Sequence, residues 1–536
     1  MTLTRLNATA ATLTKNRTEG SVSPFSGMCV TCVDGCVGMC EIGKSAYRGH
    51  EVIYPQPFGI ITTAAEKDYP VDYSYLTILG TAVGAVGIET TKGKEDDLDH
   101  LSDRAIFPNV SLTTTVGKEH PLQLKLPFVI PGLGSTNVAK NNWEGIAIGS
   151  ALAGTIITIG ENVVGMDVES TIQGGKAVDA PDLAWRIKTF FDWQREGYGD
   201  IVLQSNVEDT RLAVQEFALK KCGVQTVELK WGQGAKDIGG EVKLKSLEKA
   251  QLLYKRGYVV LPNPTDPVII EAFKKGSFRE FERHSRLGMV TEDGFLKRVE
   301  ELRKAGAKRV FLKTGAYRPA DLARAIKFAS LAEIDLLTVD GAGGGTGMSP
   351  WRMMNEWGIP SLEIHSLTYQ YCDRLAKKGL YVPDVAFAGG FTFEDQIFKA
   401  LALGAPYTKL VGMARSPLAA AMVGKTIGKR LDAGDLPVFI ERFGANKDEI
   451  FVTAPELREE WGDKFDKIPT GAIGVYTYYH RLAQGIKQMM CGARKFTLDH
   501  MTRDDLASLS RDCEAITGIP YVMDVDKEEV DKILDA

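Results

Sequence analysis

From residue 126 onward, short apolar and β-branched runs alternate with longer stretches whose apolar positions recur every three or four residues. The runs are LPFVIPG (126–132), TIITIG (155–160), DIVLQS (200–205), TVELKW (226–231), GYVVLP (257–262), RVFLKTG (309–315), IDLLTVDG (334–341), DVAFAGG (384–390) and TKLVGMA (408–414). Runs that are apolar throughout, separated by amphipathic segments such as SLEKAQLLYKRG and PADLARAIKFASL, predict buried parallel strands with crossover helices. About eight or nine such strands suit an α/β fold of the (β/α)8 TIM-barrel type with insertions, a doubly wound open sheet being the alternative. Four segments follow: an N-terminal tail with a cysteine-rich block (1–50), an irregular region packing on the barrel (51–120), the barrel (121–430) and a C-terminal helical extension (431–536). The extension, in which YYHRLAQGIKQMMCGA predicts an amphipathic helix, reads as a cap or an oligomer contact.

Composition narrows the class. With 536 residues, 44% hydrophobic and 25% charged, the chain can bury a large core. A formal net charge of -5 creates no basic field for nucleic acid or an anionic membrane surface. The opening MTLTRLNATAATLTKN lacks the apolar core of a secretory signal, and no stretch approaches the roughly 18 apolar residues of a membrane span. A cytoplasmic protein with neither nucleic-acid nor membrane partner is expected.

Candidate chemistry gathers where the strands end. GAGGGTGMSP (341–350) follows Asp340, Gly389 and Gly390 follow the next run, and Gly412 and Met413 close the last. Glycines at successive strand ends let backbone N–H groups approach an anion or a planar ring, and the last loops of such barrels commonly bind phosphate. Lys230 and Lys313 each end an apolar run, where a cation is costly unless it faces a partner or snorkels at the rim. A flavin ring held at its N1 and O2 edge uses such a cation, and Lys313 is the candidate. After Lys230, the loop WGQGAKDIGGE offers Gln233 and Lys236 as donors to a carboxylate or carbonyl. His365, at the end of SLEIH, is the one histidine placed near the barrel rim, with a satisfied structural histidine as the alternative.

VELKWGQGAKDIGGE, TVDGAGGGTGMSP, the 362–405 stretch from LEIHSLTYQYCDR to FKALALGA, and the earlier PFVIPGLGS and TIITIGEN resemble the FMN-binding synthase domain of glutamate synthases, especially the short archaeal-type form. The resemblance runs in collinear order over roughly residues 120 to 425. It implies an FMN-containing barrel in which Gly132, Ser135 and Glu161 lie on the flavin and substrate loops. Lys313, Asp340, Gly343, Gly344, Gly345, Thr346, Gly389, Gly390, Gly412 and Met413 would contact the cofactor, and Lys230, Gln233, Lys236 and Glu161 would handle a 2-oxo acid and its imine. The chain also departs from the family. No glutaminase domain is expected before the barrel, IPGLGSTN stands for AMSFGALS, ITIGENVV stands for NTGEGG, and VGMARSPLAAAMVGKTIG lacks the usual 3Fe-4S cysteines.

Against that absence stands CVTCVDGCVGMC, with Cys29, Cys32, Cys36 and Cys40 spaced C-x2-C-x3-C-x3-C. Thiolates so close together wrap one soft metal centre or stay unligated. An iron–sulfur cluster, most simply 4Fe-4S, is the expected occupant; zinc and redox-active thiols are the alternatives. Cys222, Cys372, Cys491 and Cys513 are scattered and read as small buried hydrophobes. A related barrel of the IMP dehydrogenase type is set aside, because neither GAGGGTGMSP nor WGQGAK holds a nucleophilic cysteine. The expected function is an FMN-dependent, iron–sulfur oxidoreductase acting on a C–N bond of an amino acid or amine. It would aminate a 2-oxo acid such as 2-oxoglutarate reductively, or run in reverse. Ferredoxin or a partner flavoprotein would carry the electrons, since no strand is followed by G-x-G-x-x-G. A homo-oligomer is compatible with this. The alternatives are a flavin subunit of a larger electron-transfer or N-methylglutamate synthase-type complex, and a phosphate-binding barrel without flavin.

Overall fold

Eight of the nine apolar runs pair in parallel and close into a barrel in sequence order. The structure is a computed structural model, describing residues 35–37, 41–49, 69–88, 104–231, 241–342 and 357–536. The barrel strands are β1 (Phe128–Leu133), β2 (Ile156–Ile159), β3 (Asp200–Ser205), β4 (Thr226–Lys230), β5 (Arg309–Thr314), β6 (Leu336–Asp340), β7 (Asp384–Ala388) and β8 (Thr408–Gly412). Closure is made by β8 against β1, with Val411 opposite Phe128 and Gly412 opposite Val129.

Side chains alternate across a strand, and here the alternation sorts the strands' apolar residues into two separate cores. Ile130, Ile157, Leu203, Leu229, Leu312 and Val339 face outward into the helix layer. Val129, Ile156, Val202, Phe311, Leu336, Ala386 and Leu410 form the second cluster, inside the barrel. A hairpin of Thr114–Val116 and Leu122–Leu124 plugs the base, adding Val116, Leu122 and Leu124 to that inner cluster. Below the apolar layer, Arg309 pairs with Asp200 at 2.8 Å and donates to Thr226 Oγ1.

The ninth run, GYVVLP, is not a barrel strand. Val259–Leu261 is an edge strand of a three-stranded antiparallel sheet with Phe281–His284 and Glu241–Leu244, inserted between β4 and β5. Its own alternation explains why: Val259 and Leu261 are exposed while Val260 is buried, and a strand apolar on one face only cannot fill a barrel wall. This inserted unit has a small core of its own, with Leu244, Ala250, Leu253, Tyr258, Val260 and Phe281, and it packs on Met166 beyond β2.

Five helices matter below: α1 (Glu41–Arg48), α2 (Trp143–Leu152), α3 (Ser361–Ala376), α4 (Arg415–Ala433) and α5 (Thr470–Gly492). The helix predicted within the extension is α5. It is buried against α2 and α4, with Tyr478 and Tyr479 fully covered. Small residues allow the close crossing: a Cβ on Gly149 would stand 2.6 Å from Val475 Cβ, and one on Gly474 would stand 2.7 Å from the Ala420 carbonyl. Further on, Leu506–Ser508 pairs antiparallel with Leu76–Ile78, tying the extension to the region before the barrel. Among the described residues, no helix is long and apolar enough to cross a membrane.

Candidate active site at the barrel mouth

The two-residue period that fills the barrel with Val202, Phe311 and Leu336 carries polar groups at its next inward positions. Gln204, Glu228, Lys230, Lys313, Thr338 and Asp340 follow at the C-terminal ends of β3 to β6. Burying so many polar groups where aliphatic ones would pack is costly unless they are paired or used. Each of them has a polar partner, from this group or from Glu161 beyond β2. Gln204 Nε2 donates to Glu228 Oε1 at 2.5 Å, and Thr338 Oγ1 reaches Glu228 Oε2 at 3.4 Å from the other side. Lys313 Nζ lies 3.3 Å from Asp340 Oδ2, and Lys230 Nζ lies 2.7 Å from Glu161 Oε1.

Electrostatics follow from that arrangement. Burial disfavours the Lys313 ammonium, but Asp340, Glu228 and Glu161 together outweigh it and hold the lysine protonated above its usual range. Burial pushes the Glu228 carboxyl upward, with the Lys313 charge opposing. Glu161 is also disfavoured by burial, yet its pairing with Lys230 prevails and keeps it ionised below the ordinary carboxylate range. Lys313 is thus a fixed cation in a water-poor cup, with a carboxylate on either side. Glu161 is aimed by the turn after β2, where Asn162 adopts a left-handed conformation (φ 65°) that few non-glycine residues tolerate.

The structure brings Glu161, Lys230, Lys313 and Asp340 together at one end of the barrel. Gly132 belongs to the same end: a Cβ there would stand 2.6 Å from Gln204 Oε1. Ser135 lies half-buried in the loop that follows β1. Gly389 and Gly390 have φ of 144° and 104°, and Ser361 Oγ at the start of α3 donates to the Gly389 carbonyl at 2.8 Å. Gly412 serves strand packing, since a Cβ would stand 2.8 Å from Ala388 Cβ. Met413 is not brought to the group: its N–H donates to the Val129 carbonyl, and its sulfur lies 4.0 Å from the Tyr478 hydroxyl on α5. Gln233, Lys236, Gly343, Gly344, Gly345 and Thr346 lie outside the described residues, as do Cys29, Cys32 and Cys40. Cys36 is half-buried against the main core, and among the described residues no cluster of metal-ligating side chains occurs. The preceding residue, Gly35, donates its N–H to Thr426 Oγ1 on α4 at 3.0 Å.

His365 is not at the mouth. It stacks on Phe387 at 3.9 Å, shares hydrogen bonds with Tyr73 and Thr408 on its two ring nitrogens, and is lowered to about 3 by burial and the nearby Arg503. It is a neutral structural histidine, the alternative noted from sequence. Three groups at this end were missed by sequence reasoning: Gln204, Glu228 and Arg415. Glu228 was signalled by its place two residues before Lys230, on the same face of one strand. Arg415 opens α4 directly after β8; burial lowers its guanidinium to about 10, with the Asp340 charge opposing.

A flavin mononucleotide fits this donor set. Lys313 supplies a fixed cation suited to the pyrimidine edge of the ring. Arg415 and the backbone turn at Gly389 and Gly390, held at positive φ, suit a phosphate.

No curated protein matches the chain. Among solved structures, a flavocytochrome b2 variant with pyruvate bound is 14% identical, covers 85% of this chain and 82% of its own, and has a TM-score of 0.45. A lactate oxidase of Pediococcus acidilactici is 13% identical over 75% of this chain and 84% of its own, with a TM-score of 0.38. Mandelate oxidase with (S)-2-phenylpropionate is 13% identical over 80% of this chain and 86% of its own, with a TM-score of 0.42. The family model described as the conserved region in glutamate synthase matches residues 285–423. That span runs from the exit of the inserted unit through β5, β6, β7 and β8 into α4, and over it the chain is glutamate synthase-like.

Proposed function

We propose that the protein is an FMN-dependent oxidoreductase that transfers a hydride to or from a C–N bond of an amino acid or amine, in the manner of the synthase domain of a glutamate synthase. The observation that carries this reading is the cationic, carboxylate-flanked cup at the barrel mouth, built in part within the glutamate synthase-like span. Lys313 and Asp340 lie inside that span, and Glu161 with Lys230 completes the cup from β2 and β4.

The bound flavin would accept or donate the hydride; the chain's own residues would do the rest. Lys313 would stabilise negative charge on the ring edge, which favours the reduced state. The Glu161–Lys230 pair is suited to proton transfer at the substrate nitrogen: the ammonium can donate, and the ionised carboxylate holds it in place. The inward faces of β3 and β4 shield the cup from water, since Gln204 and Glu228 are both almost fully buried.

A cluster on Cys29, Cys32, Cys36 and Cys40 would pass single electrons to the site from ferredoxin or a partner flavoprotein. What supports its placement is the docking of Gly35 and of the helix that follows. Gly35 is bonded to Thr426 on α4, the helix after the last strand, and α1 packs on α4 and α5 directly after Cys40. This is the helix whose first turns lack the family's own cluster cysteines.

Purification without oxygen, followed by assay of FMN, iron and sulfide, tests the reading. About one FMN per chain, a flavin spectrum and bleaching of the flavin by an amino acid are expected. A colourless protein that takes up no FMN would overturn it. In the loaded protein, Lys313→Ala should lower the flavin's reduction potential while FMN stays bound.

A further inference from the structure

Two lysines and three carboxylates meet at the barrel mouth, and they do not pair off evenly. Lys230 is taken by Glu161 at 2.7 Å, and Lys313 lies 3.3 Å from Asp340. Glu228 is the carboxylate left over. Among the described residues it forms no ion pair, and its bonded partners are both neutral: the Gln204 amide at 2.5 Å and the Thr338 hydroxyl at 3.4 Å. The side chain is almost fully buried, on the inward face of β4 two residues below Lys230. An ionised carboxylate so placed is costly, and it takes a proton when the charge around it tips toward negative.

The charges that face it are those of Lys313 on β5 and Lys230 on its own strand. From β3 and β6 it receives only the Gln204 amide and the Thr338 hydroxyl, while Asp340 and Glu161 are engaged by the two lysines. Reduction of a bound flavin by hydride adds two electrons and one proton to the ring, hence one negative charge, at the edge that Lys313 suits. Lys313 is already held protonated and has no proton to gain. Burial already pushes the Glu228 carboxyl upward against the pull of Lys313, and a new negative charge nearby pushes it the same way.

Gln204 is placed to follow such a change. Its Nε2 donates to Glu228, while its Oε1 is buried without a partner among the described residues and faces Gly132 on β1.

We propose that Glu228 is the proton acceptor that accompanies flavin reduction: as the ring gains a hydride, the Glu228 carboxylate takes one proton from solvent, and it returns that proton on oxidation. One hydride to the flavin and one proton to Glu228 leave the net charge of the cup as it was. A protonated Glu228 is a donor, and turning the Gln204 amide over seats Oε1 on the new O–H and presents Nε2 to the mouth. Glu228 thus acts on the flavin through charge, beside the fixed cation of Lys313, and the proposal rests on the flavin reading above.

Reductive titration of the FMN-loaded protein under nitrogen, from about pH 6 to pH 9, tests it on wild type and on Glu228→Gln, whose amide keeps the size of the carboxyl. With two electrons transferred, each tenfold change in proton concentration moves the potential by about 30 mV when one proton is bound and by about 59 mV when two are. Wild type should show the steeper slope over part of the range, and Glu228→Gln the shallower slope throughout. On reduction, wild type should also gain the infrared carbonyl band of a protonated carboxylic acid, which the variant should lack. A wild type on the shallow slope throughout, or without that band, would overturn the proposal whether or not the variant folds. So would a steep slope that survives in FMN-loaded Glu228→Gln, because the second proton would then sit elsewhere. A protein that takes up no FMN fails at an earlier step, overturning the flavin reading and Glu228's role with it.

Discussion

At the scale of single residues, the mouth of the barrel owes its character to a period of two. Asp200, Val202 and Gln204 share one face of β3; Arg309, Phe311 and Lys313 share one face of β5. Each triplet steps from a buried pair at the base, through an apolar filler, to a functional group at the top. The buried Asp209 beside this group makes a measurable difference to stability. Burial raises its carboxyl from 3.8 to about 7. Between those values the folded protein holds a proton that the unfolded chain has released, so stability falls as pH rises through that window and levels off above it. His365 acts in the opposite sense. Burial depresses it from 6.5 to about 3, so its contribution is present above 6.5 and is lost as pH falls toward 3. Asp209→Asn keeps an acceptor for the backbone N–H groups of Asn162 and Asn206 and removes only the titration. Scanning calorimetry across pH 4 to 8 should therefore show a smaller loss of melting temperature with rising pH in the variant than in wild type. Parallel traces would assign the titration elsewhere. Lys230 and Lys313 were legible in the sequence because a cation interrupts an apolar run conspicuously. Glu228 and Gln204 were not, because they lie inside the runs and only the strand's alternation shows that they point inward.

At the scale of elements, a strand was misplaced and a helix misjudged, each for a physical reason. GYVVLP has the composition of a barrel strand, but its burial alternates, and its ladder is antiparallel. The helix of the extension shows polar residues on paper, yet Thr477 and Arg481 are buried: Thr477 bonds the Ile473 carbonyl and Thr453, while Arg481 pairs with Glu394 at 2.6 Å. Residues that look like a solvent face in isolation are satisfied by neighbours that only tertiary structure supplies. That packing is tight enough to test. Gly474→Ala places a methyl 2.7 Å from the Ala420 carbonyl and 3.2 Å from Gly424 Cα, at the crossing of α4 and α5. Although alanine is the better helix former, the overpacking should lower stability by about 1–3 kcal/mol in a urea titration. A stability equal to wild type would mean that the two helices can move apart without loss.

At the scale of the whole molecule, the barrel was legible because eight runs of the right length alternate with amphipathic segments, a pattern that local sequence carries. What encloses the barrel was not. The plug at its base and the seat of Gly35, between Cys32 and Cys36 in sequence, both depend on contacts between residues far apart, such as Gly35 with Thr426. That seat makes a prediction for the complete protein. If the four cysteines hold a cluster on α4, Cys32→Ala purified without oxygen should lose its iron and sulfide while retaining FMN, because the flavin's candidate contacts lie on the barrel. Retained iron would move the cluster elsewhere, and loss of both cofactors would mean that the segment supports the barrel itself.

The pairing of Leu76–Ile78 with Leu506–Ser508 has a consequence for how the protein is made. The bridges of Val86 to Lys495 and of Ser111 to Thr497 lie along the same seam, as does the bond from Leu79 N–H to the Asp505 carbonyl. On a translating ribosome, every strand of the barrel emerges before residue 495. The early residues of the seam must therefore wait through the synthesis of some 400 others, at about 5–20 residues per second, before their partners exist. During those roughly 20 to 80 seconds, the edge at Leu76–Ile78 is open to other chains or to a chaperone. A nascent chain stalled before the seam closes should be captured or cleaved there, while one released after it should resist.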